Sequence, residues 1–146
     1  LIIRGCGPVG YPGSAEVINM QPPDRLLKRG INTLPTLGDG RQSGTSASPS
    51  ILHVSPESAV GGDLGLVKTG DKMKIDLNKR RVDLLISQSE FKIRRRKRKK
   101  FKVNNQTPWQ EIFRDTVGQL EDGACIKSRG IYLKVSTSKG IPRDSH

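Results

Sequence analysis

The chain has 146 residues, 33% of them hydrophobic and 4% aromatic, with a formal net charge of +12. That length fits one domain with a modest aliphatic core; no apolar run approaches the roughly 20 residues of a membrane-spanning helix, and two cysteines, Cys6 and Cys125, are too few for a disulfide framework. The charge invites a nucleic-acid reading, but nine basic residues lie between Lys92 and Lys102, leaving three of the twelve net charges for everything else.

Residues 1–3 are a short apolar run, expected as a strand. Without Met or a signal-peptide layout it reads as a strand cut from a longer polypeptide. Residues 5–13 hold four glycines and two prolines and form a loop. Glu16 closes that loop; alone it reads as a solvated carboxylate. Asp24, after Pro22-Pro23, caps a short helix with Leu26 and Leu27 on its apolar side, and Gly30 ends it.

Residues 31–37 return as a strand into Gly38-Asp39-Gly40-Arg41-Gln42-Ser43-Gly44-Thr45-Ser46. Three glycines let this backbone lie close against a ligand. A phosphate-cradling loop is excluded, because Gly44 stands where that motif needs lysine before the Ser/Thr. A serine-nucleophile elbow is excluded because glycines do not flank Ser43 at the right offsets. A glycine loop presenting Ser43 and Thr45 remains, with a solvated turn as the plain alternative.

Residues 49–54 read as a strand burying Ile51 and Leu52. Ser55 is expected as an N-cap with Pro56 at the first helical position, and Gly61-Gly62 stop that turn. The apolar run 64–67 is too short to assign. Residues 72–77 and 82–86 alternate, predicting a hairpin with Met73, Ile75, Leu77, Val82, Leu84 and Ile86 facing the core.

Ser87-Gln88-Ser89-Glu90 is a capping box that starts a helix into the basic run. Like charges at i,i+4 repel, so its far end should fray. A solvated helix leading to an exposed linker is expected; binding of RNA or an anionic surface is the sharper alternative. Thr107-Pro108-Trp109-Gln110 is a second capping box, followed by Ile112, Phe113 and Val117 on the face of Trp109. Trp109 is expected as a packing anchor. Residues 131–135 are strand-like, and His146 reads as a solvated terminal histidine.

Several segments together resemble one family. Asp39-Gly40-Arg41-Gln42-Ser43-Gly44-Thr45-Ser46 looks like the signature loop of the dihydroxy-acid and sugar-acid dehydratases. Gly7-Pro8-Val9-Gly10-Tyr11-Pro12-Gly13-Ser14-Ala15-Glu16 resembles a second signature, and Val54-Ser55-Pro56-Glu57-Ser58-Ala59-Val60-Gly61-Gly62 a third. Asn19-Met20-Gln21-Pro22-Pro23-Asp24 and Gln106-Thr107-Pro108-Trp109-Gln110-Glu111 point to the sugar-acid branch, which acts on pentonates such as arabonate or xylonate. The resemblance covers residues 1 to 89 and 106 to the end; the basic run departs from it. Pro142-Arg143-Asp144-Ser145-His146 is similar to the end of that branch and is expected as the natural terminus.

The resemblance implies an α+β fold: a β-barrel-like, swivelling C-terminal domain with peripheral helices that closes over a cofactor-bearing N-terminal domain. Short strands beside a few helices suggest the same class. Residues 1–89 would be the core with the site loops, 90–105 a basic helix and linker, and 106–146 the C-terminal helix and tail.

The implied activity is that of a hydro-lyase converting a 2,3-dihydroxy sugar acid to a 2-keto-3-deoxy acid. An iron–sulfur cluster would bind the leaving 3-hydroxyl, and Mg²⁺, with Glu16 as a ligand, would hold the carboxylate and 2-hydroxyl. Ser43, as alkoxide, would take the C2 proton, and Thr45 would hydrogen-bond Ser43 or a substrate hydroxyl. Gly40 and Gly44 would shape the loop, with Asp39 and Arg41 fixing it. A cluster needs about three or four cysteine ligands, so its ligands are expected on a missing N-terminal domain and the isolated chain is expected to be inactive. A cytoplasmic homo-oligomer with reduced cysteines is expected when full length, without membrane or nucleic-acid partners. Two other function classes stay open: a basic nucleic-acid-binding module acting through Lys92 to Lys102, and a degenerate, inactive dehydratase fragment.

Overall fold

The computed structural model describes residues 1–14, 17–18, 22–43, 49–104 and 107–128, with the backbone alone at 17–18 and 42–43. Within them lie seven short strands: β1 (Ile2–Ile3), β2 (Val17–Ile18), β3 (Thr36–Gly38), β4 (Gln42–Ser43), β5 (Ser50–Ile51), β6 (Met73–Asp76) and β7 (Arg81–Leu84). Three α-helices accompany them: α1 (Asp24–Leu27), α2 (Gln88–Arg96) and α3 (Pro108–Thr116). The fold is α+β. Among the described residues the strands form three small sheets and no closed barrel, and no helix is long and apolar enough to cross a membrane.

The central sheet is parallel, in the order β1-β3-β5. Its register sets Ile2 beside Leu37 and Leu37 beside Ile51, a row of branched aliphatics. That row packs with Leu64 and Val67 to make the core, and Val54, Met73, Val82 and Leu84 close over it. The run 64–67 thus lies at the centre of the domain, with Leu64 and Leu66 buried in a 3₁₀ turn, Asp63–Leu66. A second parallel pair, β2 with β4, sets Val17 beside Gln42 and Ile18 beside Ser43.

Several local expectations are corrected. Asp24 is the first residue inside α1 and does not cap it; Pro23 holds the cap position with no side-chain bond, and Asp24 instead sets its charge against the positive end of the short helix. Gly30, at φ +76°, ends the turn as expected. Residues 31–35 are not strand; Pro35 cannot donate to a ladder, and pairing begins at Thr36. Pairing in the 49–54 segment is confined to β5. Ser55 and Pro56 do not start a helix: their peptide is cis, and the 3₁₀ turn begins later, at Ser58–Val60, with Glu57 at the cap position. The Glu57 and Ser58 side chains are held by the 5–10 backbone, a tertiary demand that overrides local capping preference.

The hairpin forms with Met73 opposite Leu84 and Ile75 opposite Val82. Its inner end reaches the core, but Ile75 is 38% and Leu77 66% exposed. The central strands are too short to cover the hairpin's far end, so the expected six-residue core face stops at Met73, Val82 and Leu84, with Ile86 half-buried beside them.

The Ser87 cap is present: Ser87 Oγ accepts from the Glu90 N–H at 3.1 Å. Beyond it, the basic run is not simply solvated. Arg94 grips both oxygens of Asp71 at 2.5 and 3.0 Å, donates to Glu90 at 2.7 Å and reaches the Leu66 carbonyl at 3.0 Å. Arg95 and Arg98 both bond Asp63, and Arg98 also bonds the Gly61 carbonyl. Three arginines therefore pin α2 and the residue chain after it to the 61–71 segment, using the planar, forked geometry that lysine lacks. Arg96 and the five lysines of the run remain exposed or nearly so.

The Arg94 hydrogen bonds, aided by the Lys68 N–H, hold the Asp71 carboxyl down at about 2, from 3.8. Glu90 is lowered by the same guanidinium. A carboxylate depressed on folding stabilises the folded state fully above its unfolded pKa, and that contribution is lost as pH falls through the folded value. Asp71→Asn is therefore expected to lower the thermal midpoint at pH 7. The gap between wild type and variant should close as pH drops from about 4 to about 2. Thermal unfolding across that range checks it; a gap that stays constant would refute the coupling.

Candidate functional site

Parallel strands aim their carboxyl ends one way, and in open sheets of this kind ligands gather beyond those ends. Here the segments leaving β1, β3 and β5 meet at a cleft of about 730 Å³. The loop after β1 contributes Cys6, Tyr11 and Ser14; the turn after β3 contributes Gly40 and Arg41; the segment after β5 contributes His53. Phe113 of α3 and the turn at 120–124 close the remaining side.

Asp39 is the joint of this construction and is fully buried. One of its oxygens accepts from the Cys6 N–H at 3.0 Å; the other accepts from the Gly5 N–H at 3.0 Å, from the Ser58 N–H at 2.9 Å and from the Ser58 hydroxyl. The loop that Asp39 fixes is thus the one after β1. Gly40 lies so close to that loop that an added Cβ would sit 2.7 Å from Cys6 Cβ. Arg41 is exposed on the cleft wall. The Cys6 thiol is pushed up by burial and then by the Asp39 charge, against a hydrogen bond with Ser14; it is protonated at neutral pH.

Glu57 is a second fully buried carboxylate. It accepts from the Val9 and Gly10 N–H groups at 2.9 and 2.8 Å, and from Gln119 Nε2 at 2.9 Å. Gly7 packs directly on it: a Cβ there would overlap the carboxylate. From the other side Arg114 donates to the Val9 and Gly10 carbonyls at 2.8 and 3.3 Å.

Of the residues singled out by sequence, Asp39, Gly40 and Arg41 come together at the cleft. Ser43 is placed by its backbone in β4, beside Ile18. Glu16, Gly44 and Thr45 lie outside the described residues. Sequence reasoning missed His53, Glu57 and Arg114. His53 takes a left-handed backbone, φ +54°, unusual for a residue with a side chain, and its N–H donates to the Gly40 carbonyl at 3.3 Å. Its position just ahead of the 54–62 motif was the available signal. Among the described residues no three of His, Cys, Asp and Glu gather as metal ligands.

A family model described as dihydroxy-acid/6-phosphogluconate dehydratase C-terminal matches residues 1–124. The chain belongs to that family. It is 51% identical over its whole length to a D-xylonate dehydratase of Caulobacter vibrioides, covering 24% of that enzyme. It is 36% identical, again over its whole length, to an L-arabinonate dehydratase of Rhizobium leguminosarum, covering 24% of it. Over 87% of its length it is 38% identical to a dihydroxy-acid dehydratase of Thermodesulfovibrio yellowstonii, covering 23% of it. The chain spans about a quarter of the length of these relatives.

Two features of this dehydratase domain face outward. On α3, capped by Thr107 as expected, Trp109 is 78% exposed and Ile112 is also exposed, whereas Val117 is buried. Trp109 is therefore not an anchor among the described residues. The physical reason is the helix phase: Arg114 points inward, and Trp109 and Ile112 lie about 140° and about 160° around the helix from it. The second feature is the basic run. Arg94, Arg95 and Arg98 are engaged with acidic residues, and Arg95 lies over the Phe91 ring at 5.4 Å, leaving Phe101 as the run's other aromatic for base stacking. The run is expected to show no submicromolar affinity for a random single-stranded oligonucleotide at physiological salt. A salt-sensitive complex that is lost when Lys97, Lys99 and Lys100 are replaced would overturn this.

Proposed function

We infer that the chain is the C-terminal part of a hydro-lyase that dehydrates a sugar acid, a 2,3-dihydroxy acid, to a 2-keto-3-deoxy acid. The observation that carries this reading is the β2–β4 pair. Val17, the residue after Glu16, pairs with Gln42, the residue before Ser43. Two family motifs are thereby joined by a ladder whose paired residues stand 25 positions apart in the chain, and both motifs also contribute residues to the wall of the cleft.

In this reading Ser43 is the base. As alkoxide it takes the C2 proton, the 3-hydroxyl leaves, and the resulting enol becomes the 2-keto acid. A serine is a weak base until nearby cationic charge stabilises its alkoxide, and Arg41 on the cleft wall is the nearest such group in sequence. Thr45 hydrogen-bonds Ser43 or a substrate hydroxyl. Gly40 and Gly44 give the loop its close approach to the substrate.

The iron–sulfur cluster and Mg²⁺ implied by the resemblance would supply Lewis-acid chemistry at the 3-hydroxyl and the carboxylate. The described residues of this chain do not fit a ligand set for either. Asp39 and Glu57 are fully buried and bonded through both oxygens to protein N–H groups. Among the described residues Cys6 does not gather with two further His, Cys, Asp or Glu side chains. Glu16 stays the one proposed Mg²⁺ ligand from this chain, and the remaining ligands are assigned to the N-terminal part of the enzyme. Closure of this domain over that part by a swivelling motion, a division at 1–89, 90–105 and 106–146, homo-oligomerisation and a cytoplasmic setting belong to the same reading. The exposed Trp109 and Ile112 face supports a covering partner.

The test is direct. The full-length protein is incubated with a panel of pentonates and hexonates, and 2-keto-3-deoxy acid is measured. Turnover of a sugar acid in preference to a branched-chain 2,3-dihydroxy acid is expected. No turnover of any of them would leave the degenerate fragment as the better reading.

A further inference from the structure

Glu57 and Arg114 are buried charges of opposite sign that share no ion pair, although one is fully buried and the other 8% exposed. The peptide groups of Val9 and Gly10 lie between them. Glu57 accepts both of their N–H groups, and Arg114 donates to both of their carbonyls. Every polar atom of two consecutive backbone units is therefore held by a side chain. Gln119 locks the carboxylate from behind: its Nε2 donates to Glu57 Oε1 at 2.9 Å and its Oε1 accepts from the Glu57 N–H at 3.2 Å.

This is a costly way to stabilise a fold. A buried charge pair is often no better than well-packed apolar residues, and here Arg114 Nη1 is buried without a partner. The arrangement does something apolar packing cannot. A loop rich in glycine and proline has few side chains with which to fix its own backbone, and setting a peptide plane from both edges requires an acceptor on one side and a donor on the other. Neither charged group lines the cleft. The loop they hold does, through Cys6, Tyr11 and Ser14. Its path from the held peptides to the cleft wall is short and itself bonded: the Tyr11 N–H donates to the Gly7 carbonyl at 3.0 Å, and the Ser14 N–H to the Tyr11 carbonyl at 2.9 Å.

We propose that Glu57 and Arg114 are positioning residues for substrate binding: by fixing the Val9 and Gly10 peptides they present Tyr11 and Ser14 to the hydroxyl groups of the sugar acid. This rests on the dehydratase reading above. Preorganising a binding loop improves affinity by removing its ordering cost from the binding step, so the effect appears in KM. Loss of folded enzyme would instead lower kcat and leave KM unchanged.

The experiment compares wild-type full-length enzyme with Glu57→Gln and Arg114→Lys. In Glu57→Gln, one loop N–H faces an amide NH₂ instead of an oxygen. Arg114→Lys keeps the charge but loses the fork, and serves as the milder variant should Glu57→Gln fail to fold. Steady-state kinetics are measured on the wild type's best sugar acid, and amide hydrogen exchange is followed over residues 5–14. A rise in KM of about tenfold or more, with a smaller change in kcat and faster exchange confined to that loop, is expected. An unchanged KM in a folded variant would overturn the proposal, whatever happens to kcat. A wild type that turns over no sugar acid would sink the dehydratase reading and the substrate role with it, and exchange would then decide separately whether the two charges hold the loop.

Discussion

Replacing Ser43 with alanine in the full-length enzyme is expected to lower kcat by about 10²- to 10⁴-fold, the usual contribution of a positioned general base. Wash-in of solvent deuterium at C2 of the substrate should fall in parallel. The fold should tolerate the change, because the β2–β4 ladder is made by the backbone at Ser43 and Ile18 and loses no hydrogen bond with the hydroxyl. An unchanged thermal midpoint beside a collapsed exchange rate would assign the loss to chemistry. A Ser43→Ala enzyme that still exchanges the C2 proton at the wild-type rate would remove Ser43 from the role of base, and the search would move to His53, which the segment after β5 brings to the cleft.

Replacing Asp39 with alanine should be the most damaging single change to the described structure. It strips the acceptor from the N–H groups of Gly5, Cys6 and Ser58 at once, in a place where water does not reach the carboxylate. The Gly5 N–H retains only its bond to Ser58 Oγ, at 2.8 Å. Each buried donor left unpaired costs about 1 to 3 kcal/mol, against a total stability of about 5 to 15 kcal/mol for a domain. A loss of about 3 to 5 kcal/mol is therefore expected, read as a lower denaturant midpoint at constant slope. Asp39→Asn keeps one acceptor and should fall between alanine and wild type. A loss below about 1 kcal/mol for Asp39→Ala would mean that the loop after β1 is held some other way.

Local signals proved readable where cause and consequence lie within a few residues. Ser87 and Thr107 cap α2 and α3 through the N–H three positions on, and Gly30 and Gly61 take the left-handed turns that end their elements. The alternation over 73–84 marks the hairpin. The family motifs carried the chain's membership, confirmed over residues 1–124.

Burial of charge was not readable. Asp39 was expected to fix its own loop, and Glu57 and Arg114 carried no site role, yet each is buried because its partners are backbone groups dozens of residues away. The arginines of the basic run seemed interchangeable with its lysines until Asp71 and Asp63 were found opposite three of them. The apolar stripe of α3 correctly predicted a helix and wrongly predicted which side is inside, since periodicity sets the faces of a helix but not its rotation about its own axis.

By itself, then, the sequence determined the family, the capped helices, the hairpin and the loops that carry the signature residues. The tertiary structure alone decided the parallel order β1-β3-β5, the β2–β4 ladder and the clamp on Val9 and Gly10. The physical reason is one of range. Caps, turns and alternation are set by neighbours within about four residues, whereas a parallel ladder or a buried charge is satisfied only by groups that the completed fold brings from far along the chain.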